Sequence, residues 1–412
     1  MNVLFLGNGF DLFHKLPTKY INFLNTVDSL STQNIDNISS VGNVFSNVSL
    51  NGKDKGIRES YGEYGTLYDQ IDIGKDSLIQ LKSLSEQNLW FKYFSNSLKY
   101  DVTWIDFEKE IFTVIQSFQE FFHICVNKKV SLGKLNNSQR YVIQAFNFFL
   151  NPSTGNEIPT GAQPIKDEYL IETPIGSKNK IIDKCKIVNE LSMQLNELAE
   201  GLKIYLKFFV EKMVEKMPNT LALQWKQAFQ HTDYTITFNY TNTYELLYRK
   251  ADVAHIHGNV NSRIVLGVNP DGADIIETVD TTFVPFKKYF QRIKHKTDVT
   301  YLRFVDKYKA VDDLALYVIG HSLDITDKDI IQEAFSLARK IYILSYDEND
   351  ESKHISNLIN IFGKSAFDAM RREKDISFMS ILDDITSIMK ENSDEEKHRK
   401  WSNAMSAMRT II

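Results

Sequence analysis

The first apolar run, Val3-Leu4-Phe5-Leu6, is short and stops at a glycine, the mark of a buried strand. From Asp11 to about Val27 the apolar spacing is mixed (Leu12, Leu16, Tyr20, Phe23, Leu24) and predicts a helix that Pro17 breaks or starts. Between Asp28 and about Ser60 large apolar residues thin out in favour of Ser, Asn and Gly, which predicts a loop or mobile segment. Residues from about Tyr61 to Met217 are mainly helical in pattern. Leu191, Leu195, Leu198, Leu202, Tyr205 and Phe209 recur every three or four residues, the core-facing stripe of one long helix closed by Pro218. Pro152 to Pro174 holds four prolines and connects helices.

Beyond Pro218 the texture changes. Tyr234–Phe238, Ala254–His257, Leu314–Ile319 and Lys340–Leu344 are β-type runs, several of them separated by helical segments. Strand–helix alternation of this kind predicts an α/β fold with a parallel sheet. The charged tail from about Lys390 reads as a solvated helix whose apolar end (Trp401, Met405, Met408) can dock on the core or a partner.

Composition adds limits rather than detail. Apolar residues make up 43% and charged residues 25%, ordinary for a globular chain long enough for two units or more. The net charge of -5 does not indicate nucleic acid as a partner. Cys125 and Cys185 are the only cysteines, which excludes a four-cysteine zinc site and a disulfide framework. No run approaches the roughly 20 apolar residues of a membrane span. The start lacks a signal-peptide pattern, so a cytoplasmic protein without a membrane partner or metal is expected.

Candidate chemistry stands out by position. Gly7-Asn8-Gly9-Phe10-Asp11, Asn239-Tyr240-Thr241, His257-Gly258-Asn259 and Gly320-His321-Ser322-Leu323-Asp324 each follow directly on an apolar strand. Open parallel sheets bind ligands outside the carboxyl ends of their strands, so all four should meet in one crevice. Gly7-Asn8-Gly9 suits phosphate binding by backbone amides, or is a plain tight turn; the third glycine of a dinucleotide fingerprint is Leu12. Asp11 is expected to cap the following helix. Asn239 holds a ribose hydroxyl or a water, or else caps the helix near Thr243. His255 and His257, two apart, are placed on one side of a strand, with His257 the better general base.

Gly320-His321-Ser322-Leu323-Asp324 resembles the nucleophile elbow of α/β-hydrolases, but Asp324 replaces the final glycine. The preferred alternative is a second phosphate- or ribose-holding loop, with Thr326 and Asp329 forming a capping box for the next helix.

The opening Leu4–Leu12 with Leu16-Pro17-Thr18, together with Trp104-Ile105-Asp106-Phe107-Glu108, Thr237–Thr241, His255–Gly258 and Gly320–Leu323, resembles the AbiH family of bacterial abortive-infection proteins. The order of signatures is similar, more distantly, to sirtuins and their NAD-hydrolysing defence relatives. That resemblance implies a sirtuin-like, Rossmann-type core formed by 1–27 and 218–385, a helical insertion at 28–217, and a charged helix at 386–412. It implies Asn239 and His257 as catalytic residues. Gly7, Asn8, Gly9, Phe10, Asp11, Pro17, Thr237, Gly258, Gly320, His321 and Ser322 would contact the dinucleotide. Thr241 stands where sirtuins carry an aspartate, and a zinc ribbon is missing, so peptide deacetylation is not implied.

The function expected is phage defence through hydrolysis of the nicotinamide–ribose bond, with NAD as substrate and ADP-ribose as product and ligand. A phage-derived trigger is expected to control it, and the sequence is compatible with a homo-oligomer. Two alternatives stay open: a nucleotide-sensing core with toxicity in the insertion, perhaps a nuclease using Asp106 and Glu108, and a serine hydrolase using Ser322. For Asp106 and Glu108 the structural reading, a helix spreading them over its surface, is preferred.

Overall fold

The computed structural model describes residues 1–394 apart from 53, 98–103, 125–128, 147, 150–161, 173–179, 218–222, 249–251, 270–280 and 310–312. Pro218 and the apolar end of the tail therefore lie outside the described residues, as do Cys125 and the side chains of Trp104 and Asp106.

Six strands form one all-parallel sheet: β1 (Asn2–Leu6), β2 (Tyr234–Thr237), β3 (Val253–His255), β4 (Ala315–Ile319), β5 (Lys340–Ser345) and β6 (Asp375–Ser380). Their spatial order is 3-2-1-4-5-6. This is the order of doubly wound dinucleotide-binding sheets. The expected strands fall where the apolar runs are, within two residues. β6 was not expected: Asp-Ile-Ser-Phe-Met-Ser alternates, as suits a half-buried edge, and lacks the continuous apolar run of the central strands.

β1 is buried along its whole length, with Val3 and Phe5 packing on one face of the sheet and Leu4 and Leu6 on the other. Each such side chain contributes about 1.5–3 kcal/mol by leaving water. The first face is closed by the helices Val299–Tyr308, Lys328–Leu337, Glu348–Phe362 and Lys364–Glu373. The second is closed by Phe10, Trp225, Phe229, Tyr244, Ile385 and Met389. Phe10 stacks on Trp225 there, with ring centroids 5.6 Å apart.

The long connection from β1 to β2 is mainly helical, with two short two-stranded antiparallel sheets, Lys129–Ser131 with Ala162–Pro164 and Leu170–Glu172 with Lys180–Ile182. The stretch 28–60, expected as loop, is instead largely helical. Helices run Tyr20–Ser31, Val41–Leu50 and Lys55–Tyr68. A tally of Ser, Asn and Gly hides the pattern, but Val41, Val44, Phe45 and Val48 keep helical spacing and are buried. Ser40 and Asp54 cap the second and third of these helices by accepting from the amides of Asn43 and Ile57. The leucine stripe lies on the helix Lys184–Tyr205 and passes through a π-helical turn, Leu206–Glu211, as one buried face. Residues of the insertion share a single hydrophobic cluster with Val260, Ile264, Leu266, Val268, Phe283 and Phe286, which Leu16, Tyr20, Phe23, Leu24 and Val27 also join. Among the described residues no helix is long and apolar enough to cross a membrane.

Candidate functional site

Strand order reverses between β1 and β4: the chain leaves β1 for β2 and β3, then crosses to β4 on the opposite side. At such a switch the loops after the two strands diverge and leave a crevice. Here a cleft of about 330 Å³ opens beside Gly7, Gly9, Asn239, His257 and Gly320. Asn8, Asp11, His321 and Ser322 also line it. Four signatures that are distant in the chain thus meet as their placement after strands predicts. Phe10, Pro17, Thr237 and Gly258 do not line the cleft. Phe10 belongs to the aromatic cluster on the sheet, and the Pro17 carbonyl accepts from the Tyr205 hydroxyl. Thr237 accepts from the Asn239 amide through Oγ1, and Gly258 takes the left-handed φ of a turn that follows β3.

The glycines at the switch are required by backbone contact. A Cβ on Gly7 would stand 2.5 Å from the His321 Cα, and one on Gly9 would stand 2.7 Å from the Gly320 Cα. The Gly7 amide donates to Ile319 O, the Gly9 amide to Gly320 O and the Phe10 amide to Gly7 O. Those three amides are committed inside the chain and do not form a ring of free donors. Asn8 is itself held by Thr18, whose hydroxyl donates to Asn8 Oδ1 at 2.7 Å.

Asp11 does not cap a helix. It sits inside the short helix Asn8–Phe13, buried, and its Oδ2 accepts from Thr241 Oγ1 at 2.6 Å. Burial pushes its carboxyl up to about 6, against hydrogen bonds from Thr241, Thr243 and Asn239 that pull the other way. Oδ1 has no partner. Asn239 does not cap the helix Thr243–Leu247, where the capping position is Asn242; its buried Oδ1 is likewise unpartnered at the cleft. Nor do Thr326 and Asp329 form a capping box: Asp324 accepts from the Thr326 amide and Asp329 pairs with Arg292.

The two histidines separate. β3 ends at His255, and His257 lies in the turn beyond, so they do not share a strand face. His255 is bound at both nitrogens, to Asn239 O at 3.1 Å and to Glu245 Oε1 at 2.7 Å. His257 is buried, and its Nε2 lies 3.0 Å from Asp327 Oδ1. Burial pulls the imidazole down to about 4, with the Asp327 carboxylate opposing and Lys288 reinforcing the fall. Asp327 is held well below the usual carboxylate range because Lys288 and His257 outweigh its burial. An ionised Asp327 accepts, so the ring proton of neutral His257 sits on Nε2 and Nδ1 carries the lone pair. Nδ1 is buried with no partner. This is the arrangement of a general base oriented from behind by a carboxylate.

Nothing in the sequence pointed to Lys288, and Glu108 stood out only within the AbiH-like stretch and the nuclease alternative. Lys288 Nζ donates to the same Asp327 Oδ1 at 3.0 Å and to Glu108 Oε1 at 2.7 Å. Burial pushes the Glu108 carboxyl up to about 7, with Lys288 opposing. Glu108 lines the cleft, contrary to its reading as a surface-spreading helical residue. Asp327 had one available signal: it ends the short turn after Gly320–Asp324 and lines the crevice. Leu206 and Tyr346 also face the cleft, the former from the π-helical turn, a feature common at functional sites.

Ser322 lines the cleft, but the left-handed φ values at this loop fall on Gly320 (66°) and Leu323 (52°), not on the serine as a strained nucleophile elbow requires. His354, which also lines the cleft, is bound at both nitrogens, to Ser345 Oγ at 2.9 Å and to His321 O at 3.1 Å. Among the described residues no cluster of His, Cys, Asp and Glu is grouped to hold a metal ion.

Comparison with protein families matches residues 3–346 to the family described as bacteriophage abortive infection AbiH. Comparison with curated proteins and with solved structures finds no match. The match runs from β1 to the residue after β5 and takes in most of the cleft lining, though not Asp350, Lys353 and His354. The chain belongs to the AbiH family of bacteriophage abortive-infection proteins.

Proposed function

We propose that this defence protein binds NAD in the switch-point cleft and hydrolyses the nicotinamide–ribose bond, giving nicotinamide and ADP-ribose. The observation that carries the reading is the buried, neutral His257 in the cleft lining, with Nε2 held by Asp327 and Nδ1 unpartnered. The strand order 3-2-1-4-5-6, the arrangement of sirtuin-like and other dinucleotide-binding sheets, supports it. So does the mixed lining, apolar at Leu12, Leu206 and Phe238, with Lys353 as a cation for a pyrophosphate.

In the reaction, the C–N bond breaks with its electron pair leaving on nicotinamide, which departs neutral. The ribose becomes oxocarbenium-like, and negative charge placed nearby stabilises it. Asp11, with a carboxyl at about 6, is mostly ionised at neutral pH and supplies that charge. Asn239 Oδ1 accepts a hydrogen bond from a ribose hydroxyl. His257 Nδ1 takes a proton from the attacking water as its oxygen bonds to the anomeric carbon, and later releases it to solvent. In cells, His257→Ala should abolish both the fall in NAD after phage infection and the reduction in plaque counts. Protection that survives in this variant while NAD stays intact would make the core a sensor.

A further inference from the structure

The AbiH-like stretch Trp104–Glu108 lies in the insertion, far in sequence from the strands, yet its Glu108 reaches the cleft. It does so as the end of a buried chain of charges. Glu108 Oε1 meets Lys288 Nζ at 2.7 Å, Lys288 meets Asp327 Oδ1 at 3.0 Å, and that same oxygen meets His257 Nε2 at 3.0 Å. The Lys288 side chain is 2% exposed. A buried lysine of this kind is a permanent local cation that needs more than one acceptor.

We infer that Lys288 and Glu108 are positioning residues for the His257 base, so that the helical insertion completes the active site. The inference rests on the reading of His257 as the base. Lys288 fixes the rotamer of Asp327 and keeps it anionic, and an anionic Asp327 holds the His257 proton on Nε2. Glu108 holds Lys288 in turn. Without it the ammonium leans on Asp327 alone and competes with His257 for the shared oxygen. The helix Trp104–Ile124 carries Glu108, so any partner of the insertion that displaces this helix acts on the base directly. The charged groups that bear on His257 are Asp327, Lys288 and Arg292, with His321 beyond the second oxygen of Asp327 at 3.7 Å.

The test is a nitrogen NMR titration of His257 in the full-length protein, which needs no substrate. Lys288→Met should raise the His257 titration midpoint by about one pH unit, because a cation close by is lost. Glu108→Leu should lower it, because Asp327 then turns towards Lys288. Glu108→Gln keeps an acceptor oxygen for Lys288 and should stay near wild type. Should Lys288→Met not fold, the Glu108 pair decides alone. Midpoints unmoved in Lys288→Met and Glu108→Leu, even with lower melting temperatures, would reduce both residues to structural groups and overturn the inference. Shifted midpoints in a protein that releases no nicotinamide would uphold the positioning role of Lys288 and Glu108 and defeat only the NAD reading.

Discussion

Replacing His257 by Gln gives a stability signature that can be worked from the site. The imidazole moves from its ordinary 6.5 to about 4 on folding, because burial disfavours the charged ring. Between those values the unfolded chain binds a proton that the folded chain refuses, so this group costs stability as pH falls through 6.5 and costs no more below about 4. From pH 7.5 to pH 5 the linkage amounts to about 2 kcal/mol. Other buried groups, Asp11 and Glu108 in the cleft and Glu211 outside it, act with the opposite sign. Burial raises the carboxyls of Asp11, Glu108 and Glu211, so these groups cost stability as pH rises towards 6 or 7. Wild type alone therefore shows a mixed profile, and the difference between wild type and His257→Gln isolates the histidine. Urea unfolding at both pH values should show wild type losing about 2 kcal/mol more than the variant. Parallel loss in the two proteins would mean that His257 titrates normally when folded, and the neutral-base argument would fail.

Two further substitutions separate structure from chemistry at the switch point. Gly9→Val should lower the melting temperature together with any ligand affinity, since its Cβ would stand 2.7 Å from the Gly320 Cα and 2.8 Å from Gly320 O. A variant that melts like wild type but binds nothing would show instead that the glycine serves the ligand. Ser322→Ala should keep a large part of the activity, and wild type should resist a fluorophosphonate probe; complete loss with labelling would favour a serine nucleophile.

Much of the site was legible because strand ends announce themselves. Apolar runs stopping at Gly7, Asn239, His257 and Gly320 place those residues at one edge of a parallel sheet, and they do line the cleft. What surrounds them was not legible, for a physical reason. Lys288 lies in a helix whose pattern is ordinary for a charged surface, and only the three-dimensional approach of Glu108 and Asp327 buries it. Local rules also misplaced polar residues whose partners are remote. Asp11 after Gly9 looks like a cap, but its partner Thr241 belongs to the loop after β2. The Ser- and Asn-rich stretch around Val41–Leu50 misled because its count of polar residues concealed their helical order.

The most direct measurement is product analysis of purified protein incubated with NAD, with His257→Ala beside it. Wild type should release nicotinamide and ADP-ribose in equal amounts. The rate should be lower by roughly 10²-fold or more in the variant, the usual scale for loss of a general base, with ADP-ribose still bound. Intact NAD with wild type and no detectable binding of NAD or ADP-ribose would contradict the NAD reading.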